Sequence, residues 1–208
     1  SVNYYPINDE QAEEGTVSLA LGLGKYIVDG GLTLRVCPYH PDKVLQTSEM
    51  EMALRETQTR FYALDLKNMG QNFSLDDGFN LLKLPVKEAE ADGSLNYIAS
   101  TYDPYDMVIR DGIYPGGRKV ITFANILQHD VFPLPRILQL VQKYGQGEMR
   151  RPVEIEFAVN FNAKEKNGTF YLLQIRPMVD MKADLAEDLN LIPTEQILLR
   201  SENALGQG

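Results

Sequence analysis

Apolar and polar positions alternate most cleanly late in the chain, in "RPVEIEFAVNF" and "GTFYLLQIRPM". Val153, Ile155, Phe157, Val159 and Phe161 occupy every second position, the period of a strand with one buried face. The polar tract "NAKEKNGT" separates the two stretches, and its Asn167-Gly168 is a strong turn signal, so the pattern predicts a hairpin. Further strands are predicted over "SVNYYPI", the start of "TVSLALGLGKYIVDGG", "LTLRVCPY", "FNLLKLPV", "NYIAST" and "RKVITFA". Pro85 confines "FNLLKLPV" to an edge or a strand end. Gly22 and Gly24 predict a turn, with a short helix after it closed by Gly30 and Gly31.

Two longer helices follow from the 3.6-residue period. Ser48 and Glu51 have capping-box spacing, and behind them Met50, Leu54, Phe61 and Leu64 share one face. "PLPRILQLVQKYG" predicts the second, with Leu134, Leu138, Val141 and Tyr144 inward and Gly145 just past its end. The stretch 91–117, rich in Asp, Gly, Pro and Tyr, reads as loop around the one strand "NYIAST". The expected class is α+β, a largely antiparallel sheet with two or three flanking helices. After Pro177 the acidic "DMKADLAEDLNLIPTEQ" reads as a linker over 181–208.

Composition narrows the function classes. With 208 residues the chain can bury one substantial core or two small ones, and 44% hydrophobic with 24% charged residues is ordinary for a folded protein. A formal charge of −9 argues against nucleic acid or an anionic membrane as the main partner. No apolar run approaches ~18 residues, and "SVNYYPINDE" lacks a signal-peptide pattern. The single Cys37 excludes an intrachain disulfide and fits a reducing, cytoplasmic setting. Ser1 at the start and "NALGQG" at the end read as the limits of an excised piece.

The hairpin carries the candidate chemistry. Glu154 and Glu156 share the face opposite the apolar one, and a register centred on Glu165 sets Glu156 across from Gln174 and Glu154 across from Arg176. Carboxylate and carboxamide oxygens suit Mg²⁺, and a guanidinium beside them suits phosphate. The same pattern also describes a half-solvated hairpin with an ordinary Glu–Arg cross-strand pair. Strict alternation puts Phe170 and Leu172 on the face of Gln174 and Arg176, which predicts a covered face in which an acidic pair needs a cation.

These residues resemble the end of the ATP-grasp domain of phosphoenolpyruvate synthase and pyruvate phosphate dikinase. In that family an Asp-Ile-Glu-Trp/Phe strand pairs with a Leu-Gln-x-Arg-Pro strand, and "LALGLGKYIVDG" is similar to its Gly-Leu-Gly-Glu-x-x-Val-x-Gly turn. The resemblance covers 1–180, with a probable insertion around 40–130. It implies a C-terminal ATP-grasp subdomain that uses ATP and Mg²⁺. Carried over by position, Glu156 and Gln174 are Mg²⁺ ligands, Glu154 lies near the nucleotide or the metal, and Arg176 contacts the ATP phosphates in a catalytic role. Lys25 stands where the family has Glu, so no role passes to the glycine turn, and the hairpin loop is longer than usual.

The implied function is ATP-dependent phosphoryl transfer through phosphohistidine to pyruvate, the fragment itself being inactive. Implied partners are the remaining domains of the parent: the N-terminal ATP-grasp half, the phosphohistidine domain and the pyruvate-binding barrel. Neither His40 nor His129 lies in the family's Thr-x-x-Gly-Gly-x-x-Ser-His context. The alternatives are a non-catalytic ATP-grasp-derived interaction module and a dikinase with another acceptor. "GLGKYIVDG" matches neither a dinucleotide fingerprint nor a P-loop, and reads first as a structural turn.

Overall fold

The computed structural model describes residues 2–3, 6–7, 9–66, 80–162 and 167–178. The strand expected over "SVNYYPI" falls partly outside these, and the described residues 2, 3, 6 and 7 are not in a strand. The linker expected over 181–208 lies wholly outside them. The architecture is mixed α+β, and among the described residues the antiparallel pairing is spread over four small sheets rather than gathered in one.

β1 (Val17–Leu19) pairs with β2 (Leu34–Val36), and α1 (Lys25–Val28) lies between them after the glycine turn. Gly22 has φ +88°, and a Cβ there would sit 2.6 Å from the Tyr62 carbonyl oxygen. Only glycine tolerates both the conformation and the approach. The Leu23 N–H donates to that same oxygen, so the turn serves packing against the next sheet.

α2 (Met50–Glu56) is shorter than its apolar period predicts, and Phe61 and Leu64 lie instead on β3 (Arg60–Leu64). Two buried polar residues stop it. Thr57 Oγ1 donates to the Ala53 carbonyl at 2.7 Å. The Gln58 carboxamide accepts from Leu21 N–H and donates to the carbonyls of Leu21 and Arg60. Those bonds give the chain a better-satisfied alternative to another helical turn. Nor does Ser48 cap the helix: Glu49 is the N-cap, and Ser48 Oγ donates back to the Leu45 carbonyl. β3 pairs with β4 (Leu81–Pro85), where Pro85 ends the strand as its missing N–H requires.

β5 (Ala99–Asp103) is the centre of a three-stranded sheet flanked by β6 (Val108–Asp111) and β7 (Arg118–Ile121). β6 was expected as loop; "VIRD" is too short and too polar to announce itself by period. α3 (Ala124–Leu127) and α4 (Leu134–Met149) follow. Gly145 does not end α4. It lies inside the helix, buried, where a Cβ would come within 2.4 Å of Ile175 Cδ1 and 3.4 Å of Val153 Cγ2. The glycine lets α4 press against the terminal hairpin, β8 (Val153–Asn162) and β9 (Asn167–Pro177). Tyr144, expected inward, is 67% exposed. Among the described residues no helix is long and apolar enough to cross a membrane.

The core runs beneath these elements through Leu34, Leu95, Ile98, Ile121, Phe123 and Leu138. Phe161 of β8 joins it by stacking on Tyr97 at 4.7 Å between centroids and meeting Phe132 edge-on at 5.4 Å. Helix α4 and this aromatic cluster therefore hold the apolar face of the hairpin, and its other face turns outward.

Candidate functional site

Which side chains share that outward face depends on the register. Glu154 is opposite Arg176, Ile155 opposite Ile175 and Glu156 opposite Gln174, as a hairpin centred on Glu165 predicts. The pairing then shifts by one residue: Phe157 faces Leu172 and Val159 faces Phe170. Leu173 is the extra residue of a β-bulge. A bulge reverses the parity of everything beyond it. Phe170 and Leu172 therefore join the apolar face, where Phe157 and Phe170 stack at 5.3 Å. This corrects the expectation that they cover the polar face. The clue in the sequence is the doublet Leu172-Leu173, two adjacent apolar residues that strict alternation cannot accommodate.

The four candidate residues thus lie on one face in two adjacent cross-strand pairs. Glu154 is already engaged: Glu154 Oε2 accepts from Arg176 Nε at 2.9 Å and lies 2.7 Å from its NH2 nitrogen. The side chains are 46% and 56% exposed, so this is a solvated pair of the sort contributing about 0–1 kcal/mol. Glu156 and Gln174 are exposed and stand beside it. Among the described residues the donor set for a cation is the uncommitted Glu156 carboxylate, one carboxamide and the partly committed Glu154. Hard oxygens of that kind fit Mg²⁺, which keeps waters and takes few protein ligands. Among the described residues no group of three or more His, Cys, Asp or Glu is placed to hold a metal, so a cation here would depend on oxygens from its ligand.

Several other polar residues have charged or polar neighbours of their own. Lys25 pairs with Asp29 at 3.1 Å, and that lysine with the Tyr62 hydroxyl holds the Asp29 carboxyl below its ordinary range. Burial pushes the Cys37 thiol up, and the nearby Glu10 and Glu14 carboxylates act in the same direction, so it is a poor nucleophile. His40 Nε2 lies 3.2 Å from Glu14 Oε2, and His129 Nε2 lies 3.0 Å from Asp111 Oδ2.

No family model, curated protein or solved structure matches this chain at a significant level.

Proposed function

We propose that this chain forms the Mg²⁺- and triphosphate-facing part of the ATP site of a phosphotransferase resembling phosphoenolpyruvate synthase. In this reading it is the C-terminal subdomain of a cytoplasmic ATP-grasp domain, with 181–208 leading toward the domains that accept the phosphoryl group by way of histidine and pass it to pyruvate. The observation that carries the reading is the β8–β9 register, with Glu156 across from Gln174 and Glu154 across from Arg176 on one open face. Glu156 and Gln174 would hold Mg²⁺, which when bound neutralises phosphate charge and orients the transferring group.

Arg176 supplies the fixed cation. Its pairing with Glu154 is solvated and cheap to exchange, so a phosphate oxygen can take over the guanidinium without a large penalty. Glu154 then faces the same space as Glu156, and the pair of carboxylates discourages an anion from binding without its cation. The chain's own role is to position and to neutralise, which is most of what phosphoryl transfer asks of a protein.

Titration calorimetry of Mg·ATP on the protein with all its domains tests this. Binding should require Mg²⁺ and weaken about tenfold to hundredfold in Glu156→Ala, the cost of one charge-assisted contact. The exposed Tyr171 and Leu173 beside the site favour a second reading, a non-catalytic interaction module. That reading predicts no Mg-dependent binding at all.

A further inference from the structure

The outward ridge of α4 is the strongest unexplained feature. Arg136, Leu140, Lys143 and Tyr144 recur at helical spacing, Arg150 follows at the C-cap of α4, and all five are exposed. Leu140 is 54% exposed, so the ridge is apolar at its middle and cationic along its length. Several cations elsewhere in this acidic chain do find carboxylates: Lys43 meets Asp9, Arg55 meets Glu56, Arg110 meets Asp106 and Lys119 meets Glu90. Arg136, Lys143 and Arg150 make no ion pair among the described residues. Glu148, the acid of α4, lies on the flank of the ridge at a different helical angle.

We propose that this ridge is the docking surface for the chain's own acidic segment, residues 179–192. Three observations select that occupant. Its sequence, "VDMKADLAEDLNLI", carries Asp180, Asp184, Glu187 and Asp188 against the single Lys182, complementary in sign to the ridge. It carries Met181, Leu185 and Leu189 at every fourth position, apolar groups suited to Leu140 and Tyr144. And it departs from the right place: Met178 N–H donates to the Pro152 carbonyl at 2.8 Å, two residues beyond Arg150. From Arg136 to Met149, the residue before Arg150, the helix extends about 20 Å. Fourteen residues reach at most about 50 Å, so the segment spans the ridge without strain. Being tethered at the ridge's end, it sees the cations at a high effective concentration, and weak individual pairs suffice.

Carbodiimide cross-linking of the intact chain, which joins a lysine to a carboxylate only in direct contact, tests the proposal. At low salt, peptide mapping should find Lys143 joined to Asp184, Glu187 or Asp188 within a single chain. Raising salt until the screening length falls to about 3 Å should suppress that product. The surface variant Arg136→Gln/Arg150→Gln, which leaves Lys143 in place, should lower its yield about tenfold. Should that variant misfold, the salt dependence of the unaltered chain decides. Absence of the product, a yield indifferent to both salt and variant, or its appearance only between two copies of the chain would each overturn the proposal. None of these outcomes depends on nucleotide binding.

Discussion

Gly117→Val should lower the unfolding free energy by about 3–4 kcal/mol, a large share of the roughly 5–15 kcal/mol that a domain has. The residue sits at φ +68°, where a β-branched side chain is a genuine outlier costing about 1–2 kcal/mol. A Cβ would lie 2.3 Å from the Tyr102 carbonyl oxygen and 2.8 Å from Thr101 Cγ2, and the nearer obstacle is backbone of the central strand β5, which cannot step aside. Overpacking of that sort adds about 1–3 kcal/mol. Gly116 gives the matched control. Its φ is +72° but nothing lies within 4 Å of its missing Cβ, so Gly116→Ala should cost only the conformational part, about 1 kcal/mol. Urea unfolding separates the two; a Gly117→Val variant within 1 kcal/mol of the parent would mean that the turn into β7 is placed wrongly.

Arg176→Ala should weaken Mg·ATP binding by tenfold or more while changing stability by less than about 1 kcal/mol. The two effects should part because the proposed function gives the guanidinium two roles of unequal weight. In the free protein it holds Glu154 across a solvated strand pair, and both side chains remain near half exposed. In the proposed function it would also be the fixed cation that meets a triphosphate. Arg176→Lys keeps the charge but not the fork of donors, and should fall between parent and alanine. Calorimetry and thermal unfolding on the same samples check both halves. Equal losses of binding and stability would show that Arg176 matters only to the hairpin.

The hairpin was legible because its signals are local. An alternating strand, an Asn-Gly turn and a polar loop leave few registers, and Glu154–Arg176 and Glu156–Gln174 follow from them. The bulge at Leu173 was not legible in the same way. Parity is a property of the pair of strands, and only the Leu172-Leu173 doublet hints that it changes. The length of α2 escaped for a different reason. Its apolar period runs on smoothly into Phe61, while the hydrogen bonds of Gln58 that end it reach Leu21, thirty-seven residues away. Gly145 looked like a stop signal because glycine usually is one after a helix. Its actual reason, the approach of Ile175 and Val153, is tertiary. The division into several small sheets is a matter of long-range pairing that strand patterns leave open.

In the proposed function a divalent cation and a polyphosphate meet at the outward face of β8 and β9. Substituting Mn²⁺ for Mg²⁺ in the presence of ATP, and recording which backbone amide resonances its unpaired electrons broaden, asks the question directly. The account predicts nucleotide-dependent broadening centred on Glu154, Glu156, Gln174 and Arg176, and its loss in Glu156→Ala. Broadening centred elsewhere, or the same without nucleotide as with it, would contradict it.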